Sequence, residues 1–180
     1  MIYNYTIDEN DYLQYLYYST SKSTKVQKRR SINKLLLMIM YVATGMFLFS
    51  RNGPIASAAF FLLCVPLYFF YNTFERKQYQ RHFTKFINVH FKERIGKPNS
   101  IELDDHGVHI IDDEDNRVAY SEMEWIAETP SVVIIQSKAG TAYIIPKAKI
   151  DQQEDFVSAL SAYAMKAGVT YNKELEWKWK

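Results

Sequence analysis

Residues 35–50 read LLLMIMYVATGMFLFS and residues 54–71 read PIASAAFFLLCVPLYFFY, and neither stretch contains a charged side chain. At about 1.5 Å per helical residue they would be roughly 24 and 27 Å long, close to the ~30 Å hydrocarbon core of a bilayer. A helix of a small soluble protein would show a polar face, which both stretches lack. The sequence therefore predicts a transmembrane hairpin over residues 35–71.

The short segment between the two stretches predicts a tight turn. It reads Ser50-Arg51-Asn52-Gly53, and Pro54 suits the first position of the second helix. Six basic residues lie within residues 22–34, whereas the turn carries Arg51 alone. Since positively charged flanks stay in the cytoplasm, we expect a multi-pass protein with both termini cytoplasmic.

Charge is distributed in blocks that the net value of +2 conceals. The net charge is −3 over residues 1–21, +6 over 22–34, +5 over 75–97 and −7 over 98–180. The basic blocks flank the hairpin, which favours a lipid bilayer over nucleic acid as their partner. The basic residues expected to contact anionic lipid are Lys25, Lys28, Arg29, Arg30, Lys34, Arg76, Lys77, Arg81 and Lys85.

Two further segments adjoin the hairpin. Residues 1–34 predict a strand over 1–7, a helix capped by Thr6 or Asp8, and a basic segment. The tyrosines of this helix suit either a membrane interface or half-buried packing, and we expect them to pack against the C-terminal domain; they are Tyr12, Tyr15, Tyr17 and Tyr18. Residues 72–97 predict an amphipathic stalk helix with two compatible alternatives: the basic helix contacts anionic lipid, or its aromatic stripe packs on the next domain. That stripe comprises Tyr79, Phe83, Phe86, Ile87, His90 and Phe91.

From residue 98 the pattern changes to short β-favouring runs. Strands are predicted at 100–103, 108–111, 117–120, 125–129, 132–136 and 141–145. A capping box over residues 151–154 would start a helix that Gly168 ends. The fold class is α+β: a membrane hairpin followed by a small antiparallel β meander closed by a C-terminal helix, as in pleckstrin-homology-like folds. The domain spans 98–168, and the tail 169–180 is a strand, an interfacial contact or disordered.

The order of these parts resembles the YcxB-like family of bacterial membrane proteins. The resemblance includes LDDHGV at residues 103–108, WIAET at 125–129, IIPK at 144–147 and the final helix. It implies a pleckstrin-homology-like cytoplasmic domain and a place in the bacterial cytoplasmic (inner) membrane. It implies no established reaction.

The sequence contains no recognisable catalytic, metal-binding or cofactor-binding motif. Cys64 is the single cysteine, which excludes an internal disulfide and a multi-cysteine metal site. The acidic run 112–115 lacks the ligand spacing of a calcium loop, and His106 and His109 would need two further zinc ligands. No glycine-rich phosphate loop is present. We therefore expect no enzyme activity, no metal and no cofactor.

The leading functional hypothesis is a membrane-anchored, non-enzymatic scaffold that presents the YcxB-like domain to a protein partner. Trp125, Glu128, Pro146, Lys147 and Lys149 are the residues expected to shape the partner surface, with core packing as the alternative for Trp125. Because the domain is acidic, we expect residues 22–94 rather than the domain to bind anionic vesicles. The alternative is an immunity protein against a membrane-active bacterial toxin. The oligomeric state stays open.

Overall fold

A computed structural model describes residues 1–112 and 115–179, apart from the side chains of residues 65, 67–69 and 115. The chain forms two compact units. The first, which we call the β domain, combines Met1–Tyr17 with Phe83–Trp179. The second, the helical unit, is Tyr18–His82. Asp113 and Glu114, part of the predicted acidic turn, lie outside the described residues.

The first sheet of the β domain contains four antiparallel strands in chain order. They are β1 (Ile2–Thr6), β2 (Pro98–Leu103), β3 (Gly107–Ile111) and β4 (Asp115–Ala119). The predictions for β2, β3 and β4 are confirmed, with the observed ends shifted by one or two residues. Such shifts are expected because the pattern of side chains marks the middle of a strand better than its ends.

The second sheet contains four strands in the order β7-β6-β5-β8. They are β5 (Met123–Glu128), β6 (Val132–Ser137), β7 (Ala142–Pro146) and β8 (Thr170–Lys173). The first three are antiparallel neighbours, as predicted, whereas β8 pairs with β5 in parallel. The start of the tail is therefore a strand, one of its three predicted alternatives.

The described residues also form three α-helices: α1 (Glu9–Lys22), α2 (Thr24–His90) and α3 (Gln153–Lys166). Within α2 the backbone leaves helical geometry at Gly53, where φ is 80°. A positive φ of this size is accessible to glycine at little cost, which explains a glycine at the break. Short 3-10 turns follow α2 at Lys92–Arg94, precede β5 at Tyr120–Glu122 and follow β7 at Lys147–Lys149.

The N-terminal strand β1 pairs with β2 although most of the helical chain lies between them. The register runs from Ile2 opposite Glu102 to Thr6 opposite Pro98. Beyond the last pair, the amide of Gly96 donates a 2.9 Å hydrogen bond to the carbonyl of Ile7. The sequence predicted this strand without a partner, and its pairing with β2 is visible only in the folded chain. Helices α1 and α2 are therefore an insertion between two neighbouring strands.

The core of the β domain lies between the sheets and α3. Phe156, Leu160 and Ala164 follow the i, i+4, i+8 spacing of one helical face, and all three are fully buried. The ring of Phe156 meets that of Tyr3 on β1 edge to face, with centroids 5.3 Å apart. The N-terminal strand therefore contributes to the same core as the closing helix.

The predicted capping box at the start of α3 is wrong. The helix begins at Gln153, and the preceding Gln152 has a left-handed backbone with φ of 52° and no side-chain cap bond. The predicted stop is confirmed: Gly168 has φ of 73°, and the next amide, of Val169, bonds to the carbonyl of Ala164. Sequence spacing identified the helix but not its first turn.

A reciprocal cap does form at the start of α1. The Asp11 amide donates to Asp8 Oδ1 at 3.0 Å, and the Asp8 amide donates to Asp11 Oδ2 at 2.9 Å. Of the two predicted caps, Asp8 is confirmed, because Thr6 belongs to β1.

In the helical unit, the two arms of α2 on either side of Gly53 lie alongside each other in opposite directions. Arg30 bonds Glu75 at 2.7 Å, and Lys34 Nζ lies 5.9 Å from the ring centre of Tyr71. Closer to the break, the Ser57 hydroxyl donates to the Gly45 carbonyl at 3.0 Å. A Cβ atom on Gly45 would lie 2.2 Å from the Phe61 ring, so a larger residue there would force that ring to move.

Apolar side chains dominate the surface of this unit. Leu36, Ile55, Leu62 and Phe70 are each more than half exposed. Among the described residues, one helical stretch, Thr24–Cys64, is long and apolar enough to cross a membrane, and only 6% of its most apolar part is buried. The core helix of a soluble protein would be mostly buried, so this exposure weakly favours a membrane protein.

Asp104 and Gly107 stabilise the turn between β2 and β3 in different ways. The carboxylate of Asp104 accepts hydrogen bonds from the amides of His106 at 2.7 Å and Gly107 at 2.8 Å. These bonds hold the pKa of Asp104 below its ordinary value. Gly107 allows β4 to pack closely against this turn, because a Cβ atom at position 107 would lie 2.4 Å from the carbonyl oxygen of Val118.

We predict that Asp104→Asn weakens the acid dependence of stability. A carboxyl with a lowered folded-state pKa stabilises the fold above its unfolded-state pKa of about 4, and that contribution is lost as the pH falls through the folded-state value. Asparagine keeps an acceptor oxygen but does not titrate. The melting temperature of the full chain should therefore fall less steeply below pH 4 in Asp104→Asn than in wild type. Glu124→Gln, at an exposed carboxyl, is the control; an unchanged acid slope in Asp104→Asn would contradict the assignment.

Candidate functional site

Two of the predicted partner residues form a buried ion pair. Lys147 Nζ lies 2.6 Å from Glu128 Oε1, and the two side chains are 12% and 4% exposed. The hydroxyl of Tyr171 on β8 donates to the other Glu128 oxygen at 3.1 Å. Burial, followed by the Glu128 charge, raises the pKa of Tyr171 well above its ordinary value. The hydroxyl therefore stays protonated and serves as a donor to Glu128.

This cluster joins the C-terminal segment to strand β5 of the second sheet. The backbone of Glu128 accepts a 2.8 Å hydrogen bond from the amide of Glu174, just beyond β8. Glu128 also lies opposite Lys173 in the parallel β5–β8 register. One acidic residue thus holds β8 through its side chain and its main chain.

A third predicted partner residue, Lys149, connects the 3-10 turn after β7 to the start of α1. Its ammonium lies 2.6 Å from Asp11 Oδ2 and also contacts Asp8. Burial raises the pKa of Asp11, and the bond from Lys149 only partly offsets this. For Asp8, burial again acts to raise the pKa, but the hydrogen bonds with Lys149 and Asp11 together outweigh it and lower the pKa. Lys149 therefore pairs with the same two carboxylates that cap α1.

The last two predicted partner residues lie on the second sheet. Pro146 is buried at the end of β7, opposite Val132. Trp125 on β5 is half-buried, next to a register shift between Met123 and Trp125. The five residues do not form one exposed patch: four of them are engaged or buried within the domain. A partner surface made by them stays a prediction.

The predicted lipid-contacting residues occupy both arms of α2. Arg30 is half-buried and binds Glu75 through Nε at 3.0 Å and through a terminal nitrogen at 2.7 Å. Lys34 is half-buried beside Tyr71. The remaining seven side chains are exposed: Lys25, Lys28, Arg29, Arg76, Lys77, Arg81 and Lys85.

The aromatic stripe at the end of α2 packs on the β domain in part. Phe83 and Ile87 are buried, Phe83 meets Tyr17 at 5.5 Å, and Phe91 stacks on Tyr12 at 4.6 Å between ring centres. Packing on the domain, one of the two alternatives for the stripe, is therefore confirmed for these residues.

Sequence reasoning missed a small cavity in the β domain. It has a volume of about 70 Å³, and its walls include Tyr5, Tyr12, Asn99, Asp112 and Tyr143. Burial and the nearby Asp112 charge raise the pKa of the Tyr5 hydroxyl. At about 30 Å³ per water molecule, the cavity has room for ordered water rather than an organic ligand. No motif could have revealed it, because its walls come from distant parts of the chain.

Candidate metal ligands are dispersed. Across residues 1–112 and 115–179, no three His, Cys, Asp or Glu side chains are grouped as an ion site. His109 Nδ1 lies 3.7 Å from Glu102 on the adjacent strand, whereas His106 is exposed in the β2–β3 turn.

We predict that Lys147→Met destabilises the full chain by about 3 kcal/mol, because it leaves the Glu128 carboxylate buried without its counter-charge. The double variant Lys147→Met/Glu128→Gln should recover at least half of that loss. Lys138→Met, which removes an exposed lysine, is the control and should change the free energy of unfolding by less than about 0.5 kcal/mol. Denaturant titration measures all three. A Lys147→Met loss no larger than that of Lys138→Met would show that the pair contributes little.

Comparison with known proteins shows that part of this domain matches a protein family. Residues 103–160 match the model of the family described as YcxB-like protein. The matched range runs from the end of β2 through β3 to β7 and into α3, and it contains both Glu128 and Lys147. No curated protein matches the chain.

Proposed function

We propose, on the premise that residues 103–160 are a YcxB-like region, that the protein is a membrane-anchored, non-enzymatic scaffold. In this proposal α2 crosses the bacterial cytoplasmic membrane twice, over residues 35–50 and 54–71. The β domain and both termini lie in the cytoplasm. The domain is presented to a protein partner.

The pairing of β1 with β2 supports the proposed two crossings of the membrane. Thr6 and Pro98 are direct neighbours in the sheet, so the chain leaves and re-enters the β domain at one place. Both ends of the insertion must then lie on the same side of any membrane, and the number of crossings must be even. Two uncharged stretches on antiparallel arms supply two crossings.

The exposed apolar surface of α2 supports the membrane part. Exposed apolar patches of this extent on a soluble monomer are rare, and they mark contact with lipid or another protein. The basic residues cluster where both arms leave the apolar stretches, whereas Arg51 alone lies at the turn. By the positive-inside rule this distribution favours a cytoplasmic β domain.

Cysteine labelling tests the topology. In a Cys64→Ala background, Asn52→Cys at the turn should react with a membrane-impermeant maleimide in intact spheroplasts. Gln80→Cys, on an exposed face of the second arm, should react only after the membrane is disrupted. Labelling of Gln80→Cys from outside would contradict the proposed orientation.

Site-specific photocrosslinking in native membranes tests the scaffold role. We expect probes at the exposed residues Glu124 and Met165 of the β domain to yield a common protein adduct. Probes at Leu36 and Leu62 on α2 should react with lipid. Protein adducts confined to Leu36 and Leu62 would contradict the scaffold and favour the immunity hypothesis, in which the arms engage a toxin within the bilayer.

A further inference from the structure

A groove on the helical unit brings polar side chains of both arms of α2 together. Arg29 and Asn33 line it from the first arm, and Gln78 and His82 from the second. Each pair is four residues apart, so each presents its two side chains on one helical face. The groove has a volume of about 370 Å³, many times the space of one water molecule.

The charge of the groove is positive. Glu75 is the acidic residue that lines the groove, but Arg30 binds its carboxylate through two nitrogens and neutralises it. Arg29 is exposed and forms no ion pair with any residue in the described part of the chain. A guanidinium of this kind binds phosphate oxygens through two parallel hydrogen bonds, and the amides of Asn33 and Gln78 are further donors.

The groove begins where the apolar stretches end. Asn33 and Tyr71 line it next to residues 35–50 and 54–71, and His82 lines its far end. From Tyr71 to His82 a helix rises by about 16 Å. A bilayer carries polar layers of roughly 5–8 Å on each side of its hydrocarbon core. In the proposed topology, the groove therefore starts at the hydrocarbon boundary and passes through the headgroup layer.

An apolar surface continues from the groove towards the bilayer. Phe74 lines the groove and is 67% exposed, and Phe70, one turn nearer the hydrocarbon, is 66% exposed. A free phosphate ion would make no favourable contact with these apolar rings, whereas lipid acyl chains would pack against them.

We infer that this groove binds the phosphate headgroup of an anionic phospholipid. Arg29 pairs with the phosphate, Asn33 and Gln78 donate to its oxygens, and Phe70 and Phe74 contact the acyl chains. The inference rests on the proposed membrane insertion and adds to it a defined lipid site on the cytoplasmic face.

Native mass spectrometry of the full chain in detergent, titrated with phosphatidylglycerol or phosphatidylcholine, tests the inference. We expect one phosphatidylglycerol to bind about tenfold more tightly than phosphatidylcholine. Arg29→Gln should weaken phosphatidylglycerol binding about fivefold, as expected for one basic side chain at an anionic headgroup. Arg76→Gln is the matched control: Arg76 is also expected to contact anionic lipid, but it lies outside the groove, so its loss removes only general surface attraction and should weaken binding of the single bound lipid less than twofold.

Equal losses in the two variants would reveal a diffuse basic surface and overturn the lipid site. Displacement of phosphatidylglycerol by millimolar inorganic phosphate would show that the groove recognises a free anion and would also overturn it. Carbonate extraction of membranes separates this result from the proposed function. If the wild-type chain is extracted, the membrane anchor itself fails; if it is retained without a preference for phosphatidylglycerol, only the lipid site fails.

Discussion

The pairing of β1 with β2 is the constraint on which the rest of the molecule depends. Because Thr6 and Pro98 are neighbours, residues 7–97 must return to the place where they left the sheet. A single straight helix of that length cannot do so. The positive φ at Gly53 allows α2 to fold back, and the Arg30–Glu75 pair and the Gly45–Phe61 contact hold its arms together.

The same constraint ties the N-terminus to the C-terminal fold. Tyr3 on β1 packs on Phe156 of α3, and Lys149 forms ion pairs with the two carboxylates at the start of α1. The YcxB-like region therefore depends on residues far outside its own matched range. Deleting either end of the chain would remove part of one core rather than a separate module.

Charged residues of the β domain proved hard to interpret from sequence. Glu128 and Lys147 looked available for a partner because charged side chains are usually exposed. In the structure they form an ion pair with each other, and Lys149 forms ion pairs with Asp8 and Asp11. Partners so distant in sequence leave no local pattern, so the burial of these side chains could not be predicted. The small cavity beside Tyr5 was missed for the same reason.

The sequence by itself determined the strands β2 to β7, the closing helix, the turn at Gly53 and the uncharged stretches of α2. These features depend on side-chain periodicity and on glycine or proline at fixed positions, which are local properties. Tertiary structure decided that β1 joins the first sheet, that β8 pairs in parallel with β5, and that Gln152 rather than a capping box precedes α3. Each of these depends on which distant backbone offers a hydrogen-bond partner, and that is settled only when the chain has folded.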